Sequence, residues 1–171
     1  VDVRYDFGCT AEMRDLYVDA FGNMLMGKLL EDLDALAGNV AFFHADDGKS
    51  QEESNLSLVT AGVEKIKFEK KGVPLDNDIL VTGQVVYTGS SSLDVLVEAH
   101  VARSNANDDD QKISIMDPAE DNKVLSSIFT YVARNKETGK AEKVAGLDLT
   151  GPEITEYEKA CFAKREEAAV K

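Results

Sequence analysis

The stretch Asn23–His44, NMLMGKLLEDLDALAGNVAFFH, decides the fold. On a helical wheel of about 100° per residue, Leu25, Met26, Leu29, Leu30, Leu33, Leu36, Ala37, Val40 and Ala41 fill one arc of roughly 160°. Lys28, Glu31, Ala35, Asn39 and Phe42 fall on the opposite side. A helix over Asn23–His44 therefore buries about half its circumference, which predicts packing against a sheet.

The sheet is legible downstream. After the polar stretch 45–55 come four strand-like runs: Leu58–Lys70, Ile79–Thr88, Leu93–Arg103 and Val124–Arg134. Alternation places Ile79, Val81, Val85 and Tyr87 on one face of the second run. It does the same for Leu93, Val95, Val97, Ala99 and Val101, and for Leu125, Phe129, Tyr131 and Ala133. Thr88-Gly-Ser-Ser-Ser92 reads as a tight hairpin connection. Upstream, residues 1–22 read as an extended lead-in, with Leu16, Val18 and Ala20 alternating against polar neighbours.

One long apolar helix followed by long antiparallel strands is an α+β pattern, and the hotdog fold is the reading it supports. A cystatin-like sheet on a helix competes on pattern alone. The expected domain spans 1–150 and carries an acidic insertion, 104–123, with six acids and no periodicity. Thr150-Gly-Pro-Glu153 reads as a capping box, so 151–171 is expected to be a C-terminal helix or linker.

Composition narrows the function. The chain has 171 residues, 43% hydrophobic, enough for a core. With 32 acids against 19 bases its formal charge is −13, which argues against nucleic acid and anionic membrane surfaces. No apolar run is long enough to span a membrane, and no secretory signal is visible. The first residue is Val1, which reads as a processed or excised piece. Cys9, Cys161, His44 and His100 are scattered along the chain, so neither a disulfide framework nor a metal site is expected. His44 at the helix end and His100 beside Asp94 and Glu98 read as structural residues. A Ser/His/Asp triad on either is a weak alternative.

The carboxylates are more informative. Asp34 sits at the margin of the buried arc and is expected to be half-buried, which would raise its pKa and suit it to general-base work. The structural alternative is an edge acid paired with a cation. Gly22, Gly27 and the amides from Asn23 to Met26 form a donor-rich helix start that could hold a developing oxyanion. The alternative there is an uncapped turn.

Asp19-Ala-Phe-Gly22-Asn-Met-Leu-Met-Gly27-Lys-Leu-Leu-Glu-Asp-Leu-Asp34-Ala-Leu-Ala-Gly38 resembles the helix-entry motif of hotdog-fold acyl-CoA thioesterases. Leu58–Ile66, Gly83–Val95 and Phe129–Arg134 resemble their strands, in order and at matching spacing, and the Gly-Pro-Glu153 tail completes the match. The resemblance covers the chain except 104–123. Leu30-Glu-Asp-Leu-Asp34 with Met13-Arg-Asp15 is most like the first half of the mitochondrial double-hotdog thioesterases.

That resemblance implies paired hotdogs with a site across their interface, one supplying a helix Asp and the other an Asn ahead of the helix. Asp34 matches the Asp. Asp19 stands where the Asn is expected, a departure, since a carboxylate cannot donate to a thioester carbonyl. A second departure is Ser90, where the turn motif often carries a cation beside CoA. The resemblance further implies hydrolysis with Asp34 as general base or nucleophile, an oxyanion held near Met26 and Gly27, and pantetheine running past Gly89, Ser90, Ser91 and Ser92. It implies no cofactor beyond the substrate's coenzyme A, a second hotdog as partner, and a mitochondrial setting in lipid metabolism. The rival reading is a silent hotdog kept as a structural subunit of a larger mitochondrial assembly.

Overall fold

The apolar stripe of the helix finds its sheet. The computed structural model describes residues 1–8, 10–45, 55–68, 75, 77–102, 122–147 and 163. In chain order the elements are β1 (Asp2–Tyr5), α1 (Ala11–Asp15), α2 (Met26–Ala45), β2 (Leu56–Phe68), β3 (Asp78–Thr88), β4 (Ser92–Ala102) and β5 (Lys123–Asn135). The strands form one sheet in the order β1-β3-β4-β5-β2, every neighbouring pair antiparallel. This is the hotdog arrangement, and the four strands expected from alternation are all present.

Helix α2 buries Leu29, Leu33, Leu36, Ala37, Val40 and Ala41. They share one core with Ile79, Val81, Leu93, Val95, Val97, Ala99, Leu125, Phe129 and Tyr131. Each large apolar side chain withdrawn from water contributes about 1.5–3 kcal/mol. The helix lies close to β3: a Cβ on Gly83 would stand 3.0 Å from Val40 Cγ2. A register shift between Val85 and Tyr87 carries Val86 into a buried position and leaves Tyr87 half-buried, contrary to simple alternation.

The lead-in differs from its sequence reading. It contains strand β1, paired with β3, and the short helix α1. Tertiary hydrogen bonds also delay α2 until Met26. The Asn23 amide donates to Asp19 Oδ1 at 2.8 Å, and the Leu25 amide to the Tyr17 carbonyl at 2.7 Å. Gly22, at φ +83°, allows the intervening turn.

Two anchors fix this lead-in to the domain. The buried Asp78 carboxylate pairs with Arg4 and accepts the Gly8 amide at 3.0 Å. Tyr5, Phe7 and Tyr17 form an aromatic cluster with centroids 5.0–5.7 Å apart, and the Tyr17 hydroxyl donates to Asp32 on α2. Lys123, counted with the acidic insertion from sequence, opens β5. The rest of that insertion, apart from Asn122, and the expected C-terminal helix, apart from Ala163, lie outside the described residues.

Candidate active site

Three elements converge on Asp34. It lies on α2 where the helix crosses the β5–β2 side of the sheet. Thr60 of β2 and Tyr131 of β5 are register partners, so their side chains are neighbours on one face. The Tyr131 hydroxyl lies 3.0 Å from the Asp34 carbonyl oxygen and 3.2 Å from its Oδ1. The Thr60 hydroxyl lies 3.4 Å from the same Oδ1. Tyr131 is buried, whereas Asp34 and Thr60 are exposed. Burial, and then the negative charge of Asp34, push the Tyr131 phenol well above its ordinary range, so it stays a donor.

The expected half-burial of Asp34 is corrected by this geometry. Its neighbours lie on the last two strands of the sheet, and among the described residues nothing beyond the β2 edge covers it. Nor do the described residues pair it with a cation: its partners are two hydroxyls.

Asp19 serves its own loop. Its Oδ1 accepts the amides of Phe21 and Asn23, each at 2.8 Å, and the Asn23 side chain reaches Oδ2 at 3.3 Å. These bonds, led by the Asn23 amide, lower its pKa below the usual carboxylate range. The loop therefore holds an anion where the resemblance expects an amide donor.

At the helix start the amides of Lys28 and Leu29 bond to the Leu25 carbonyl, while Asn23 and Leu25 donate elsewhere. Among the described contacts the amides of Met26 and Gly27 have no acceptor. A Cβ on Gly27 would meet nothing within 4 Å, and Gly27 is exposed among the described residues. Of the broader donor set expected from Asn23 onward, the Asn23 and Leu25 amides are thus already taken. At about 1.5 Å of rise per residue the Met26 and Gly27 amides stand roughly 12 Å from Asp34 along the helix. Within one chain, a single thioester carbonyl cannot touch both.

The hairpin Gly89–Ser92 lies at the Asp34 end of the sheet. Ser92 pairs with Val132, and Leu93 with Tyr131. The Gly89 amide donates to the Ser92 carbonyl at 2.8 Å, and a Cβ on Gly89 would collide with Ser92 Oγ at 2.8 Å. The Ser90 and Ser91 carbonyls accept amides from Val144 and Ala133. The backbone of the turn is thus fixed, while Ser90 is exposed at its tip.

The histidines do not join the site. His44 Nε2 lies 2.9 Å from the Ala145 carbonyl, as a donor. His100 sits 3.7 Å from Glu98, which also pairs with Lys123. No cluster of three or more His, Cys, Asp or Glu among the described residues could hold a metal ion.

Sequence reasoning missed Thr60 and Tyr131. The available signal was a Tyr on a core face beside Phe129 and Ala133, where an apolar ring would fill the space without a hydroxyl.

A sheet wrapped on one central helix, with a carboxylate at its open edge, defines a hotdog-fold protein. No family model matches the chain. It is 36% identical over 164 residues, 96% of its length, to acyl-coenzyme A thioesterase 2, chloroplastic, of Humulus lupulus. It is 31% identical over 156 residues, 91% of its length, to acyl-coenzyme A thioesterase 9, mitochondrial, of Bos taurus. It spans about a third of the length of these relatives, 34% and 32%. Among solved structures it resembles an acyl-CoA hydrolase of Staphylococcus aureus, determined with butyryl coenzyme A and coenzyme A. The TM-score is 0.66 at 21% identity, covering 99% of this chain and 87% of that one. It also resembles a hexameric acyl-CoA thioesterase, with TM-score 0.64 at 20% identity, covering 100% and 94%. The chain is a hotdog-fold relative of the acyl-CoA thioesterases, as its motifs implied.

Proposed function

We propose that this chain is one hotdog half of an acyl-CoA thioesterase. The observation that carries the reading is the Asp34 carboxylate, held on one oxygen by Thr60 and Tyr131 and open beyond the β2 edge. It activates water or attacks the thioester carbonyl directly. The acyl–sulfur bond breaks, coenzyme A leaves as its thiol, and water supplies the oxygen of the released acid. No cofactor is needed beyond the coenzyme A of the substrate. Gly89–Ser92, at the same end of the sheet, lies along the pantetheine arm.

The distance between Asp34 and the Met26–Gly27 amides supports a paired architecture. Each feature then serves a different site, completed by a second hotdog that brings the missing asparagine. The edge strand β2 suits such pairing: Val59, Val63, Ile66 and Phe68 are exposed along it, and Phe43 of α2 lies exposed as well. The hexameric state of the solved relative supports assembly in general. The mitochondrial and chloroplastic names of the curated relatives support an organellar setting, for which we favour the mitochondrion and fatty-acyl metabolism. No helix among the described residues is long and apolar enough to cross a membrane.

The rival reading, a silent structural hotdog, draws on the Asp19 carboxylate locked in its loop. Thiol release from a panel of acyl-CoA esters, measured on the protein in its native assembly, decides between them. Turnover of any chain length supports the enzyme. No release from the paired protein establishes the structural subunit.

A further inference from the structure

We infer that Tyr131 is a positioning residue for this hydrolysis, its phenol fixing Oδ1 of Asp34 so that Oδ2 is presented to the reacting water. The inference rests on the reading of Asp34 as the acting carboxylate and goes beyond it by naming what aims that group.

An aspartate on an exposed stretch of helix has rotational freedom, and a general base that wanders loses productive geometry. Tyr131 restrains it from a rigid platform. Its ring is 3% exposed within the core, on a strand bonded on both sides, next to Leu93 on β4 and Thr60 on β2. Its hydroxyl reaches the helix beside Gly38, where a Cβ would already stand 3.6 Å from it. Gly38 is one turn beyond Asp34, and 3.6 Å is ordinary van der Waals contact, so the phenol packs directly against this turn of the helix.

The hydroxyl has one proton; the Asp34 carbonyl lies at 3.0 Å and Oδ1 at 3.2 Å, and the Thr60 hydroxyl is a further hydrogen-bond partner. The carbonyl already accepts the helical amide four residues on. The carboxylate is the charged acceptor and takes the stronger bond. Because burial keeps the phenol protonated, it remains a donor wherever Asp34 is ionised. Thr60 supplies a second hydroxyl to the same oxygen, 3.4 Å away, and leaves the other oxygen free for chemistry.

The test compares wild type, Tyr131→Phe, Asp34→Asn and the double variant in the native assembly, on acyl-CoA esters, with thermal melts of each. Tyr131→Phe should lower kcat by about tenfold while KM stays within about twofold, because positioning acts on the transition state and not on binding. In the Asp34→Asn background the same substitution should cost nothing more, since its effect passes through that carboxylate. Should Tyr131→Phe lose its melting transition, 4-methylphenylalanine at 131 keeps the tyrosine's volume without a donor. 4-Aminophenylalanine restores a donor and should restore kcat. An unchanged kcat in Tyr131→Phe, or a loss that adds in full to that of Asp34→Asn, overturns the inference and leaves the thioesterase reading standing. A wild type without hydrolysis removes both.

Discussion

Asp32 and Asp34, two residues apart on α2, hold partners on opposite sides of the helix. Asp32 accepts the Tyr17 hydroxyl from the lead-in, and Asp34 accepts Tyr131 and Thr60 from the sheet. Two residues turn the helix by about 200°, so neighbouring carboxylates can serve unrelated ends. One clamps the N-terminal segment, and the other faces the open sheet edge.

Asp34→Asn should therefore leave the fold intact, since the residue is exposed and the change nearly isosteric. It should cut thioester turnover by on the order of 10²-fold or more, the scale of a lost general base. Asp19→Ala should have a smaller effect on turnover and act through its loop. Steady-state rates with melting curves for both variants check this. Equal activity of Asp34→Asn and wild type would end the catalytic assignment.

Arg4→Met should destabilise the domain by about 2–4 kcal/mol, because it strands a buried carboxylate. Asp78 has a side chain 1% exposed and would keep only the Gly8 amide of these two anchors. Denaturant midpoints measure the loss. A change of only a few tenths would mean that Arg4 is a surface pair of little consequence.

Pairing can be tested at the strand edge. Val63 is 46% exposed on β2, and Val63→Lys places a charge where another strand would dock. The variant should keep its melting transition while sedimenting as a smaller species than wild type. Identical sedimentation would move the interface away from β2.

Salt should act in an unusual direction. At a net charge of −13 the chain repels an anionic coenzyme A ester, and Ser90 brings no cation to the turn. Raising ionic strength from about 0.01 M to 0.1 M shortens the screening length from about 30 Å to 10 Å. KM for acyl-CoA should fall over that range. A rising KM would show that local cations outweigh the global field.

Stability should fall at alkaline pH. Burial, followed by the charge of Asp32, pushes the Tyr5 phenol up to about 12, and burial raises Tyr17 and Tyr131 further. A raised phenol stabilises the fold fully below its unfolded value of 10.0, and that contribution is lost as pH rises through the folded value. Denaturant midpoints should hold below pH 10.0 and decline toward about 12. Tyr17→Phe should make the decline shallower. A flat profile for wild type would refute the coupling.

The helix stripe and the strands were legible because period 3.6 and period two are properties of neighbouring residues. The start of α2 was not, because the Asp19 carboxylate and the Tyr17 carbonyl claim amides that the pattern assigns to a helical turn. Asp34 was nominated from its wheel position, yet its exposure was misjudged. A wheel knows which side faces a sheet but not where that sheet stops. Thr60 and Tyr131 escaped because alternation says that a side chain points inward, not that its hydroxyl meets a carboxylate far away in sequence.

The strand order β1-β3-β4-β5-β2 has a consequence for synthesis. Strand β2 is made early, yet among the described strands its one neighbour is β5, which ends at Asn135. Until the ribosome has released that segment, Leu56–Phe68 has no strand to pair with, although α2 can already pack on β3 and β4. Pairing of β5 with β2 is what brings Thr60 and Tyr131 together beside Asp34. The nascent chain is therefore most exposed to aggregation and to chaperones just before its candidate site exists.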